Sequence, residues 1–373
     1  LSWIVLQADV LQAASLQTDP IDMPERSYGQ QRLSVELTNI CNLHCSYCLR
    51  DEDALYHNPA NFFSVELLRR IAREARDAVG VTHISFTGGE PTLHPHFPDA
   101  IAAVVSEGLT TSFITNGWHF ERVWPALVAH RQNVTHVSFS FDGATREQHD
   151  RWRGDGSFVR LIRALSRCRK GGLPFNIKVG IRRDTVDHLE EIAIFSARMG
   201  AHGLAFSHLL ATGVAVAEDF SLTLEEQAAA EREVAELARI FKMGVSLDVG
   251  YYNVDVAQPP CSALAGVSGN VDYRGHLSLC CNLSGFRGAV GEADVVADLN
   301  TEDFGEAYAR LGRVAEQQLE RRREALSDLR ARGEDPDLQV GSPCLFCLQS
   351  FAKTPWSNIS AKVTERRALP VVA

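Results

Sequence analysis

The sequence predicts an α/β protein, a partial (β/α)6 TIM-like barrel followed by a smaller α+β unit at the C-terminus. Three observations lead there. Short apolar runs alternate six times with longer amphipathic stretches between residues 32 and 210. Several of the long stretches carry helix-end signals. The residues able to do chemistry fall just after the short runs, where a parallel barrel gathers its site.

Taken in order, residues 1–31 read as an N-terminal leader segment with one short helix around Val10-Leu11-Gln12-Ala13-Ala14. Strands are expected at 33–38, 83–87, 110–115, 135–141, 175–181 and 203–209. The helices between them include 64–79, 97–107, 157–170 and 188–199. Ser64 is the N-cap of the first, and Gly80 lies just past its end. A longer helix, 223–242, opens with the capping box Thr223-Leu224-Glu225-Glu226 and closes a barrel domain of residues 32–242. A short strand, Val245-Ser246-Leu247-Asp248-Val249, begins a second domain, 243–373. Within it, residues 301–332 form a charged helix with Phe304, Tyr308, Leu311, Leu319 and Leu326 on one side. Its run Glu320-Arg321-Arg322-Arg323-Glu324 reads as a solvated face.

The net charge, 37 − 47 = −10, argues against nucleic acid as a partner. No apolar run approaches the ~20 residues of a membrane span. The start Leu1-Ser2-Trp3-Ile4-Val5-Leu6 lacks the basic leader of a signal peptide, so a cytoplasmic location is expected. Nine cysteines, an odd number, suit metal ligation in a reducing compartment better than disulfides.

Cys41, Cys45 and Cys48 follow the first strand with the spacing Cys-x3-Cys-x2-Cys, and the aromatic Tyr47 precedes the last of them. Three thiolates can hold three irons of a [4Fe–4S] cube and leave the fourth open for chemistry. A zinc knot completed by His44 is the plain alternative. Thr87-Gly88-Gly89-Glu90-Pro91 follows the second strand. Its glycines permit close backbone approach, and Glu90 offers a carboxylate to an ammonium group. With these two motifs the chain resembles the radical S-adenosylmethionine (SAM) superfamily. The resemblance implies a [4Fe–4S] cluster on Cys41, Cys45 and Cys48, with SAM chelating the open iron. It also implies SAM contacts from Tyr47, Gly88, Gly89, Glu90, Asn116, Ser140, Asp142 and Arg182. Asp142-Gly143 would also make an ordinary turn, and Arg182 and Arg183 could equally be rim charges.

Cys261, Cys280, Cys344 and Cys347, with a Gly-x4-Cys hairpin at Gly275, resemble the twitch or SPASM auxiliary-cluster extension of that superfamily. No cysteine follows Cys347, so the single-cluster twitch form is the nearer pattern, and two [4Fe–4S] clusters are expected in all. A four-cysteine zinc ribbon has equally acceptable spacing. Cys281 is a spare ligand, a buried thiol or a hydrogen donor to a product radical. Asp248, Tyr251, Tyr252 and Asp272 are candidates for a general base, with Asp248 and Asp272 put forward beside Cys281 as catalytic. His94 and His96 are not read as a metal pair, and Cys168 is read as core.

A closed second cluster suits electron transfer, so the reaction expected is net oxidation, first of a peptide or protein side chain. The alternative is a small-molecule alcohol dehydrogenase of antibiotic, sugar or cofactor biosynthesis. A rival from another class is a non-enzymatic zinc-binding module. Flavodoxin or ferredoxin is the expected electron donor. The roughly 30 residues ahead of the barrel are too short for a winged-helix leader-binding domain, so a separate recognition protein is a candidate partner.

Overall fold

Among the described residues seven strands in unbroken chain order form most of the parallel part of the sheet. They are β1 (Arg32–Glu36), β2 (His83–Thr87), β3 (Thr110–Thr115), β4 (Val134–Phe141), β5 (Phe175–Ile181), β6 (Gly203–His208) and β7 (Gly244–Val249). The computed structural model describes residues 31–49, 59–210, 219–284 and 292–353. The short helix expected near Val10 lies outside the described residues. Helices α1 (Val65–Val79), α2 (Phe97–Ser106), α3 (Phe120–Ala129), α4 (Arg146–Arg153), α5 (Ser157–Gly171), α6 (Leu189–Met199) and α7 (Leu224–Ile240) lie between the strands. This is a parallel partial barrel.

The sheet does not stop where the sequence suggested. β7 pairs parallel with β6, so the barrel sheet runs past residue 242. At the other edge β8 (Ser268–Val271) pairs parallel with β1. It continues antiparallel into β9 (His276–Ser278) and β10 (Val295–Asp298). Among the described residues ten strands thus share one sheet, and the C-terminal unit grows from β1, the strand that delivers the first cysteine loop. Over it lie α8 (Cys281–Ser284), α9 (Phe304–Ala331), α10 (Leu338–Gly341) and α11 (Pro343–Ser350).

Alternation along the strands decides what faces the site. Ile84, Phe86, Val137, Phe139, Phe141, Ile177, Val179 and Phe206 are buried in the apolar core. Ser140, Asp142, Lys178 and Arg182 take the opposite parity. Each large apolar side chain buried this way contributes roughly 1.5–3 kcal/mol.

Ser64 accepts from Leu67 N at 3.2 Å, and Gly80 closes α1 at φ 72°. The Thr223 and Glu226 capping box is present at α7. α3 was not anticipated because Pro125 interrupts its pattern. α4 has almost no apolar stripe and is set by the reciprocal Thr145 and Gln148 capping box. Asp150 near the end of α4 launches α5. Its carboxylate accepts from Phe158 N at 2.7 Å, Gly156 N at 2.9 Å and Ser157 Oγ at 2.8 Å. Burial works to raise the Asp150 pKa, but these donors outweigh it and lower it to about 2. Asp150→Ala is expected to lower unfolding free energy by about 1–2 kcal/mol at neutral pH. Because the folded pKa lies below the unfolded one, this stability is complete above about pH 5 and disappears toward about pH 2. Urea midpoints of the variant and the parent should therefore converge on acidification.

The arginine run of α9 is not wholly solvated. Phe304, Tyr308, Leu311, Ala315, Gln318, Arg322 and Leu326 form its buried line, so Arg322 sits on the core side. Leu319, expected there, is only half-buried.

Candidate active site

The cysteine loop leaves β1 and is clamped from two directions. Thr38 Oγ1 donates to Asn61 O at 2.8 Å, and Asn39 Nδ2 donates to Pro59 O at 3.1 Å. From β2, Gly89 N donates to Thr38 O and Glu90 N to Ile40 O, each at 2.8 Å. A Cβ on Gly88 would lie 2.4 Å from Thr38 O, and one on Gly89 only 1.9 Å from Ile40 O. Gly88 also holds φ 127°. The glycine pair is therefore required by the approach of the cysteine loop itself, before any ligand is considered.

Glu90 is buried, and both of its carboxylate oxygens accept hydrogen bonds. Oε1 accepts from Thr92 N at 3.1 Å, Thr92 Oγ1 at 2.6 Å and Thr115 Oγ1 at 2.7 Å, and Oε2 accepts from Asn116 N at 2.8 Å. Burial raises its pKa against these donors. Its observed work is to brace the ends of β2 and β3. Asn116 Nδ2 in turn lies 3.0 Å from Asn42 Oδ1 and 3.9 Å from Cys41 Sγ.

Across the cleft, Tyr47 Oη donates to Asp142 Oδ2 at 2.5 Å, and Arg153 Nη2 donates to Tyr47 Oη at 2.7 Å. Arg153 Nε also donates to Asp142 Oδ2, and Arg182 Nη1 meets Asp142 Oδ1 at 2.5 Å. The Arg182 guanidinium stacks 4.5 Å from the Tyr47 ring and 4.4 Å from the Trp152 ring. Burial opposes the charge on Asp142, yet Arg153 and Arg182 hold its pKa well below the usual carboxylate range. Arg182 Nη2 is buried without a hydrogen-bond partner, an orphaned donor at the cleft. Arg183 turns outward to Asp219 and to Glu226, at 2.9 Å from the latter. Ser140 is half-exposed on the strand that ends in Asp142.

Burial pushes the Cys41 thiol up to about 12, with the charges of Cys45 and Cys48 adding to it. Cys45 is raised by burial, against the pull of Arg153. Such thiols ionise when a metal replaces their protons. His44, offered as a zinc ligand, is exposed. Among the described residues no three His, Cys, Asp or Glu side chains are drawn tightly enough to grip a single metal ion. All nine cysteines are thiols, and the sets at 41–48 and 261–347 fit an iron–sulfur group by donor chemistry.

The second set comes from three segments. Cys261 precedes β8, Cys280 follows β9, and Cys344 and Cys347 lie on α11. Cys347 is raised by burial and then by Cys261 and Cys344. Cys280 is raised by a hydrogen bond with Cys281, by burial and by the Cys344 charge. Cys281 thus lies beside this set, with Sγ 4.0 Å from Asn282 Oδ1.

Asp248 lies on β7, across β6 from Lys178 of β5. Lys178 Nζ meets its Oδ2 at 2.6 Å, and Ser246 Oγ donates to its Oδ1 at 2.8 Å. Asp272, put forward as a base beside Asp248, lies in the C-terminal unit. It is fully buried at the β8–β9 hairpin and accepts from Arg274 N and His276 N, each at 2.9 Å. Tyr252 Oη donates to Pro336 O at 2.7 Å and Tyr251 Oη to Pro260 O, so both pin loops. His94 uses both ring nitrogens, on Phe63 O at 2.9 Å and His96 N at 3.1 Å. Cys168 is buried in the core of α5. Trp152, Arg153 and Lys178 were missed. Lys178 carried a signal, the one charge inside the mostly apolar strand Phe175–Ile181.

Residues 35–195 match the Radical SAM superfamily. A mycofactocin maturase, MftC of Mycolicibacterium smegmatis, is 32% identical over 200 residues, 52% of this chain and 49% of that one. A GTP 3',8-cyclase of Actinobacillus pleuropneumoniae serotype 7 is 32% identical over 154 residues, 40% of this chain and 43% of that one. The chain spans about half the length of the curated relatives it matches. Among solved structures, Streptococcus suis SuiB bound to the precursor peptide SuiA superposes with a TM-score of 0.63 at 14% identity, covering 77% of this chain and 67% of that one. At that identity the likeness is one of fold.

Proposed function

The chain belongs to the radical SAM superfamily through residues 35–195, and on that premise we propose that it oxidatively tailors a peptide or protein side chain. The feature that supports this reading is the second set of thiols, Cys261, Cys280, Cys344 and Cys347, carried by the segments around β8, β9 and α11 of the C-terminal unit. Radical SAM enzymes use a [4Fe–4S] cluster and SAM. In this reading Cys41, Cys45 and Cys48 hold that cluster, and the second set holds another. When bound, these groups supply a hydrogen-abstracting 5′-deoxyadenosyl radical and an acceptor for the electron left on the substrate.

The chain's own residues would hold and shield that chemistry. The orphaned Arg182 Nη2 donor suits the SAM carboxylate. Tyr47 would present its ring to adenine while its hydroxyl stays fixed on Asp142. Ser140 and Asp142 at the end of β4 suit the ribose, and Asn116 and the Gly88-Gly89-Glu90 turn the amino end. For Glu90 and Asp142 the role is carried mainly by what they position, since their oxygens are already engaged. Asp248, beside Lys178, suits the proton released as the substrate is oxidised. Cys281 would stand as a thiol near the second set. A flavodoxin or ferredoxin would deliver electrons from outside, and a separate protein could recognise a leader peptide.

A peptide substrate is favoured by the likeness to MftC, a mycofactocin maturase. The GTP 3',8-cyclase match keeps a small-molecule substrate as the second reading. Mass spectrometry decides between them. Anaerobic protein, SAM and dithionite are incubated with peptides encoded beside the gene, and a peptide that has lost two hydrogen atoms is expected. Deoxyadenosine formation with no change in any such peptide would move the reading to a small molecule.

A further inference from the structure

Arg322 is buried to 2% exposure in the C-terminal unit. It occupies the core line of α9 between Gln318 and Leu326, at a position where helical phase calls for an apolar side chain. Its Nη2 donates to Gly341 O at 3.1 Å and to Asn253 O. Its Nε has no hydrogen-bond partner. Among the described residues no carboxylate pairs with it, and the carbonyl of Gly341 that it holds ends α10 three residues before Cys344 on α11, so the ionisable groups on its side are the thiols of the second set and Tyr251. A buried guanidinium answered only by carbonyls is costly, so the anion that justifies this charge belongs on the sulfur side.

We propose that Arg322 is the residue that sets the reduction potential of the iron–sulfur group held by Cys261, Cys280, Cys344 and Cys347. The inference rests on the second-cluster reading above. Adding one electron and no proton takes a four-thiolate [4Fe–4S] group from a dianion to a trianion. A fixed positive charge in a low-dielectric setting stabilises the trianion more. The Nε–H left over is a donor for thiolate sulfur, which acts in the same direction. Arg322 therefore makes the group a readier acceptor for an electron leaving the substrate. It does so without touching the substrate, as a positioning residue.

The Cys41/Cys45/Cys48→Ala protein isolates the second cluster. In that background the midpoint is measured by EPR-monitored titration with dithionite for Arg322, Arg322→Gln and Arg322→Lys. The Gln variant is expected to lower the reduced-to-oxidised ratio at fixed potential at least tenfold, which for one electron is a midpoint lower by about 59 mV. The Lys variant should keep most of the parent value, which a merely structural role would not require. A Gln midpoint equal to the parent overturns the proposal. If the Gln variant does not fold, the parent labelled with nitrogen-15 arginine is examined instead. An arginine nitrogen coupled to the reduced cluster is expected, and its absence overturns the assignment. No iron in the triple-alanine parent would instead refute the second-cluster reading beneath it.

Discussion

Replacing Cys41, Cys45 and Cys48 together by alanine is expected to lower iron from about eight to about four atoms per anaerobically prepared chain, and to abolish 5′-deoxyadenosine formation. The fold should survive, because the loop is clamped by backbone and by Asn39 and Thr38 rather than by the thiols. Labile sulfide should fall in step with iron. The pattern of loss is what discriminates. A fall from about four irons to none, with zinc retained, would make the C-terminal thiols a structural zinc ribbon. A zinc site accepts no electron, and the reaction would then be a redox-neutral rearrangement or epimerisation. Zinc alone, with no deoxyadenosine from SAM and reductant, would return the chain to a binding module.

The parts of this molecule that were legible in the sequence are those written locally. β2, β3 and β5 lie at the expected residues because a strand's period and its flanking turns are contained in a few positions. The cysteine loop and Gly88-Gly89 were legible as motifs, but the reason for the glycines was not. That reason is a contact with Ile40, nearly fifty residues earlier in the chain. The Tyr47, Asp142, Arg153 and Arg182 network was half legible. Arg153 lies on α4, whose polar composition hides any face. β7 was seen as a strand, yet its partner β6 could not be read from its own residues. Arg322 shows a different failure. Three adjacent arginines look like solvent, but helical phase places the middle one about three turns past Leu311 on the same face.

Asp142→Ala is expected to cost about 3–5 kcal/mol, because it leaves the guanidinium groups of Arg153 and Arg182 buried without their shared anion. Against a total of about 5–15 kcal/mol for an ordinary domain, that loss is large enough to lower the yield of folded protein. Urea unfolding measures it, with an unchanged m-value separating lost stability from a changed unfolded state. Asp142→Asn keeps the shape and the Tyr47 hydrogen bond, and so should cost less than the alanine. The pairing is worth more in its geometry than in net stability. A buried carboxylate between two arginines is often replaceable by apolar groups without loss. What such a replacement would lose is the orientation of Arg182, whose Nη2 stays available only while Nη1 is fixed on Asp142 and the guanidinium plane lies against Tyr47 and Trp152. A combined Asp142→Leu, Arg153→Met protein still buries Arg182 with only Asp184 beside it, so it should fold less well than the parent and bind SAM more weakly. A loss of under about 1 kcal/mol on Asp142→Ala would mean that water reaches the two arginines, and that the cleft is open where the network now closes it.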